Sequence, residues 1–276
     1  MGRPIIHLYA ICWNEAYMLP YFFRHYDDLV DRYVVFDNGS TDETVELLGK
    51  QPKVDLRHLT MPDPNSAILS GKRIHDNCWK ESRGRADWVI VTDMDEHIYH
   101  HAFMDYIAEC RNNGVTLIPG TGYQMLSSDR PDTNLKLSQV VTKGAPFAQM
   151  NKLTLFDPNR VTETNFAVGR HTASPAGEIV YPARDEVLNL HYKYLSLERT
   201  HERNNTLYSK LGKMDKEMGW GHKYTWNKER LVQDWELFNR NAVDNVMLHH
   251  DAGRAALHSG REKPWWRQDQ PNHAQL

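Results

Sequence analysis

Up to about residue 125 the apolar positions switch repeatedly between strand-like and helix-like spacing. Ile5 to Cys12 is a continuous apolar run, as a strand buried on both faces requires. Met18, Leu19, Phe22, Phe23, Tyr26, Leu29 and Val30 then fall at i, i+3, i+4, i+7 spacing, which predicts an amphipathic helix with Pro20 in its first turn. Tyr33 to Phe36 reads as a second buried strand. Ser40 and Glu43 form the S-x-x-E pattern of a capping box, predicting a helix from Thr41 to about Gly49. Val54 to Met61, Trp88 to Thr92 and Val115 to Ile118 read as further strands. Ala67 to Ser82 and His101 to Asn112 read as helices, the latter closed by Asn113-Gly114. Strands separated by helices in this way imply βαβ units and a mostly parallel sheet, whose ligands bind at the carboxyl ends of the strands.

The second half is less regular. Asn151 to Phe156 and Val187 to Tyr194 are strand-like and flank a Gly/Pro-containing stretch from Asp157 to Pro182. Ser196 to Met218 and Lys228 to Ala242 are helical and charged. With no internal repeat and no low-complexity linker, the reading is one α/β domain with a helical C-terminal appendage.

Composition narrows the function classes. A chain of 276 residues with 40% hydrophobic and 25% charged content is long enough to bury a substantial core. A formal charge of −3 gives no electrostatic footprint for nucleic acid or an anionic membrane. No apolar run approaches the ~20 residues that span a bilayer, and the N-terminal stretch, broken by His7, lacks the features of a signal peptide. Three scattered cysteines, Cys12, Cys78 and Cys110, argue against a disulfide framework or a cysteine zinc site. The expectation is a cytoplasmic protein, with peripheral docking at the inner membrane face left open.

Three acidic turns carry candidate chemistry. Thr92-Asp93-Met94-Asp95-Glu96-His97 ends a buried strand; in extended structure Asp93 and Asp95 would project to one side and converge on a hard cation. An acidic turn capping the next helix is the plainer reading. Asp37-Asn38-Gly39-Ser40-Thr41-Asp42 follows another buried strand and offers either a nucleotide site at a helix N-terminus or simple capping. Trp13-Asn14-Glu15-Ala16 follows the first strand, where Asn14 or Glu15 is an N-cap or a ligand. All three turns follow strands of one inferred sheet, so their side chains should meet at one edge.

Together these segments resemble the nucleotide-sugar glycosyltransferases of GT-A fold, a Rossmann-like, mostly parallel sheet flanked by helices. More closely, the chain resembles the family-2-like bacterial subgroup related to glycosyltransferase family 92, whose pattern reads NE…DNGSxD…D-x-DE. The likeness covers about residues 4–125. It extends to Gly169-Arg170-His171 and to His191-Tyr192-Lys193-Tyr194-Leu195-Ser196. The resemblance implies a GT-A domain over 1–195, with a nucleotide-binding half to about 125, an acceptor half from 126, and a helical extension over 196–276. It implies that Asn14, Glu15, Asp37, Asn38, Ser40 and Asp42 surround the nucleotide, with Glu15 and Asp37 accepting from base and ribose. Asp93, Met94 and Asp95 would lie at the diphosphate, with Asp93 and Asp95 binding Mn²⁺ or Mg²⁺. His191, with His171 as second choice, would complete the metal shell, and Lys72 and Arg73 would contact the diphosphate. The implied reaction moves a sugar from a UDP-linked donor to a saccharide or other hydroxyl acceptor, as in surface-glycan biosynthesis.

The general base is not indicated by the pattern, since the E-D pair expected after the D-x-D strand is absent. Asp185, Glu186 and Glu178 are the available acids, with Asp129 a fourth. Trp220-Gly221-His222-Lys223-Tyr224 and Trp226 offer aromatic faces for an acceptor sugar, or pack the C-terminal helices. Trp265-Trp266 would close over a donor, meet a second subunit, or serve neither purpose. Two other classes fit acids at strand ends: a metal-dependent nucleotidyltransferase or phosphohydrolase, and a non-catalytic nucleotide-sugar binder. The absence of a G-x-x-x-x-G-K-S/T loop counts against the first, and the intact Asp93-Met94-Asp95 against the second. The sequence does not fix the oligomeric state.

Overall fold

The apolar run at the start of the chain forms β1 (Ile6–Cys12), and its alternate side chains feed two separate cores. It pairs in parallel with β2 (Arg32–Asp37), which pairs in parallel with β3 (Val54–His58), while β4 (Trp88–Val91) lies parallel on its other side. In the computed structural model, which describes residues 2–250 and 263–268, these strands begin a 10-stranded sheet. On one face Ile6, Leu8, Ala10, Tyr33, Val35, Trp88 and Ile90 lie in one apolar cluster with the helices α1 (Leu19–Tyr26) and α2 (Thr44–Gly49), through residues such as Phe22, Tyr26 and Leu48. On the other face Tyr9, Val34, Val89 and Val91 meet Trp79, whose ring lies edge-on to Phe156 at 4.9 Å. Trp79 comes from the short turn that follows α3 (Ala67–Asn77). Burial on both faces is why these strands carry no polar alternation.

After β4 the chain turns at Asp93–Asp95 and forms β5 (Glu96–Tyr99), a strand not anticipated above, then α4 (Phe103–Asn112). β6 (Leu117–Leu126) is longer than expected, because Pro119, Gly120 and Gly122 read as strand breakers. The register shift between Ile118 and Pro119 accommodates the proline. Gly122 is there for space, since a Cβ on it would lie 2.4 Å from the carbonyl carbon of Met150. A single turn, α5 (Leu137–Val140), leads to β7 (Lys143–Pro146), and β8 (Lys152–Phe156) inserts antiparallel between β4 and β6. The hairpin of β9 (Val161–Glu163) and β10 (Ala176–Gly177) stands apart, and β11 (Leu188–Tyr194) lies between β5 and β6. Thus β1, β2, β3, β4, β6 and β11 all run the same way, and the expected α/β architecture is present.

Register creates an overhang. Leu117 of β6 and Val89 of β4 both pair with Phe156, so β6 runs on past the end of β4, as does β11 beside it. The C-terminal helices α6 (Leu197–Lys210), α7 (Lys213–Glu217) and α8 (Lys228–Arg240) follow, then β12 (Val243–Asp244) on β7, and α9 (Asn245–His250). Buried Asp215 on α7 accepts from Ala67 and Gly212 N–H groups, each at 2.9 Å, and from the Ser66 hydroxyl that caps α3. Among the described residues no helix is long and apolar enough to cross a membrane.

Candidate active site

Because β1, β2 and β4 are neighbours and parallel, the residues that follow them share one edge. Asn14 adopts a left-handed backbone (φ 52°), a conformation asparagine tolerates better than most residues. Its side-chain oxygen accepts from Thr41 N–H at 2.7 Å, and its own N–H donates to the Ser40 hydroxyl at 2.8 Å. The Ser40 hydroxyl in turn donates to Asp37 at 2.5 Å, and the Gly39 and Ser40 N–H groups reach the same carboxylate at 3.1 Å. Asn38 extends the β1–β2 ladder by donating to the Cys12 carbonyl at 2.9 Å, and Asp42 accepts from Thr44 and Ala16 N–H groups. The expected capping box therefore does not form. Ser40 is committed to the loop, and the helix begins at Thr44, three residues after the expected start at Thr41.

The turn at Asp93–Asp95 separates its two aspartates instead of extending them to one side. Asp95 faces the overhang: its Oδ2 lies 3.3 Å from Nε2 of His191, and its carbonyl accepts from Tyr192 N–H at 2.7 Å. Burial works against the Asp95 carboxylate, but the nearby His191 holds it below the usual range. Behind the imidazole, Nδ1 lies 2.8 Å from Oε1 of Gln124, whose amide nitrogen donates to the Met125 and His191 carbonyls at 3.0 Å. That orientation makes Oε1 the acceptor, so Nδ1 carries a ring proton and Nε2 is the atom turned toward Asp95. One imidazole and one carboxylate presented at this separation fit a divalent ion such as Mn²⁺.

Asp93 turns inward. Its Oδ2 meets Arg170 at 2.7 Å and Lys152 at 3.4 Å, and both cations also bind Glu96, which is 1% exposed. Against the penalty of burial, Arg170 and Lys152 hold the Asp93 carboxyl well below the ordinary range. Arg170 is the middle residue of the Gly169-Arg170-His171 segment, and Lys152 opens β8. His171 stands beside them, its Nδ1 donating to the Gln149 carbonyl at 2.6 Å. Met94 is buried in the core.

The helical C-terminal part closes the cleft. Arg203 of α6 pairs with Glu15, whose carboxyl burial pushes up to about 7 despite that partner, with Asp95 adding to the rise. Lys193, past His191 on β11, is depressed to about 8 by burial, with Asp95 pulling the other way. Its ammonium lies 5.5 Å from the ring centre of Tyr224. The Tyr224 phenol is raised to about 12, mainly by burial and then by Asp95, Asp93 and Glu15. Trp226 instead lies between Lys223 (4.9 Å) and Arg230 (5.0 Å).

Other expected site residues lie elsewhere. Lys72 pairs with Asp76 on its own helix at 2.7 Å, and Arg73 leans toward Asp63 and Pro62; the cations brought to Asp93 are Lys152 and Arg170. Asp185 is held by Arg267 (2.8 Å) and by the Trp266 indole (2.9 Å), beneath the amino end of β11. Glu186 lies 3.5 Å from His100, and Glu178 pairs with Arg160 at the amino end of β6. These three acids are not brought to the cleft. Asp129 does follow β6 on the site's edge, where the Ser128 hydroxyl donates to it at 2.8 Å. Trp265 donates to the Asn151 carbonyl at 2.9 Å and packs beneath the sheet with Trp266, not over the turn at residues 37–42. Gln124, Lys152 and Arg203 carried no signal in the sequence, and Glu96 stood there only as the last acid of the Asp93–Glu96 turn.

Comparison with known proteins decides the class. The family model for glycosyltransferase family 92 matches residues 21–237. The chain belongs to that family. No curated protein sequence matches it. Among solved structures, the family 92 chain is similar to S. aureus TarS 1–349 in complex with UDP (12% identity, 56% of this chain and 47% of that one, TM-score 0.31). It is also similar to TarS 1–349 in complex with UDP-GlcNAc (10%, 93% and 76%, 0.38). A third likeness is to glucosyl-3-phosphoglycerate synthase from Mycobacterium tuberculosis with Mn²⁺, UDP and phosphoglyceric acid (18%, 44% and 43%, 0.30). The chain thus spans less than half the length of two of these three solved chains.

Proposed function

We propose that this family 92 glycosyltransferase transfers a sugar from a UDP-linked donor to a saccharide hydroxyl in the cleft between the β1, β2 and β4 ends and α6. Glu15 and Asp37 accept from the nucleoside, Asp37 being held for that role by its own turn. Asp95 and His191 hold a divalent ion, which when bound supplies Lewis-acid neutralisation of the departing diphosphate. Lys193 and Arg203 add positive charge on the opposite wall. Asp185, Glu186 and Glu178 are left out of the chemistry, being engaged by other side chains away from this cleft.

The observation that supports the reading best is the Asp95–His191–Gln124 chain. It presents a carboxylate and an imidazole held from behind by Gln124, side by side at the end of β4. The test is calorimetry of UDP, GDP, CMP and TDP with and without Mn²⁺. UDP binding that strengthens with Mn²⁺, and loses that gain in Asp95→Ala, supports the assignment. Metal-independent binding of any nucleotide, or none, overturns the metal-assisted UDP reading.

A further inference from the structure

A second group of histidines gathers at the far end of β5. His100 and His101 follow that strand directly, and His249 reaches them from α9; one ring nitrogen from each lies within 4.8 Å of the others. Nδ1 of His101 and Nδ1 of His249 are 3.1 Å apart. At Zn–N bonds of ~2.0–2.1 Å, two ligands of one tetrahedral ion stand ~3.3 Å apart, so the His101–His249 pair is near coordination distance.

The surrounding hydrogen bonds select the nitrogens. Nε2 of His249 donates to the Glu186 carbonyl at 2.6 Å, so its Nδ1 is the acceptor in the 3.1 Å hydrogen bond from Nδ1 of His101, and an ion held between these two atoms would require the His101 proton to move to its Nε2. An outer contact such as that to the Glu186 carbonyl orients ligating histidines in metal sites. His100 stacks on Tyr106 at 4.4 Å, and its Nε2 lies 3.5 Å from the Glu186 carboxylate. Its Nδ1 accepts from Ala102 N–H at 3.1 Å. Coordination through Nε2 therefore moves the ring proton to Nδ1 and turns that atom away from the amide. A cavity of about 360 Å³, lined by His100, His101 and Phe103, gives an ion a route in.

We infer that His100, His101 and His249 form a structural zinc site that clamps α9 onto the end of β5. Three imidazoles suit Zn²⁺ better than the oxygen-seeking Mg²⁺ or Mn²⁺. The site is separate from the nucleotide cleft. Four residues of β5 lie between Asp95 and His100, roughly 16 Å of extended chain. The ion would link segments 148 residues apart, so its binding free energy would add to that of folding.

The experiment is Zn²⁺ titration of the chelator-treated full chain, carrying no polyhistidine tag, followed by metal analysis and melting temperature. One zinc per chain and a raised melting temperature are expected, with the d–d absorption of tetrahedral cobalt when Co²⁺ replaces it. His101→Ala, at an exposed position that should leave folding intact, should weaken zinc by more than the ~10–100-fold typical of removing an outer partner. His249→Ala should do the same. Asp95→Ala should keep the zinc, and His101→Ala should keep nucleotide binding. Absence of zinc, or zinc retained in both histidine variants, would overturn the site. Zinc lost in Asp95→Ala instead would place the ion in the nucleotide cleft and overturn it equally.

Discussion

Nε2 of His191 stands 3.3 Å from Oδ2 of Asp95, although the two residues are 96 positions apart in sequence. The relationship exists because β11 overhangs the end of β4 and because Gln124 holds the ring from behind. Removing the carboxylate (Asp95→Ala) or the imidazole (His191→Ala) should abolish the Mn²⁺-dependent part of UDP binding without altering the circular dichroism spectrum. Gln124→Leu keeps both groups but frees the ring and its tautomer, so metal affinity should drop by ~10–100-fold. Calorimetric titration of Mn²⁺ in the presence of UDP measures all three. An unchanged Gln124→Leu would mean that the ring is held by packing alone.

The cluster of Lys152, Arg170, Asp93 and Glu96 is balanced, with two cations against two acids, and Glu96 is almost fully enclosed. Deleting one cation strands a buried carboxylate. Arg170→Met should therefore destabilise the fold by about 3–5 kcal/mol. Pairing it with Glu96→Leu removes the stranded charge as well, and most of that loss should return. Urea unfolding of the single and double variants provides the comparison. A double variant as unstable as the sum of its parts would show that the ions act independently.

Glu15 makes stability depend on pH in a definite direction. Burial raises its carboxyl from the ordinary 4.5 to about 7, Arg203 opposing the rise and Asp95 adding to it. The folded chain thus keeps a proton that the unfolded chain has released. This contribution is complete below about 4.5 and is lost as pH rises through about 7, amounting to roughly 3 kcal/mol at 1.36 kcal/mol per unit. Unfolding midpoints of Glu15→Gln should be flatter over that window than those of the parent chain. UDP affinity should move the other way, strengthening as the carboxylate forms, if Glu15 accepts a base N–H.

The parallel half of the sheet was legible because β1, β2 and β4 are apolar at nearly every position, and burial on both faces permits little else. The three acidic turns were legible because each directly follows such a strand. What could not be read depends on register. β5 is only four residues long and contains Glu96 and His97, so nothing in its polarity suggests a strand. Gln124 and His191 meet through the pairing of β6 with β11, which joins residues 67 apart. Asp185 and Glu186 sit close to His191 in sequence, but at the wrong end of their strand. Arg170 was visible only as the middle of a matched segment, since a buried arginine without its carboxylates looks like any surface cation.

Tyr224 and Trp226 separate two readings of the aromatic segment between α7 and α8. The Tyr224 phenol feels Asp95, Asp93 and Glu15, and Lys193 stands over its ring, so it borders the cleft proposed for the nucleotide. Trp226 is held between Lys223 and Arg230 and contributes to how this segment is fastened. Tyr224→Ala should weaken UDP-sugar binding about tenfold, the equivalent of ~1.4 kcal/mol. Trp226→Ala should change that affinity by less than about threefold while lowering the melting temperature. Calorimetry and thermal melts on the two variants give the contrast directly. Equal losses of affinity would mean that the whole segment, and not the tyrosine face, forms the wall of the cleft.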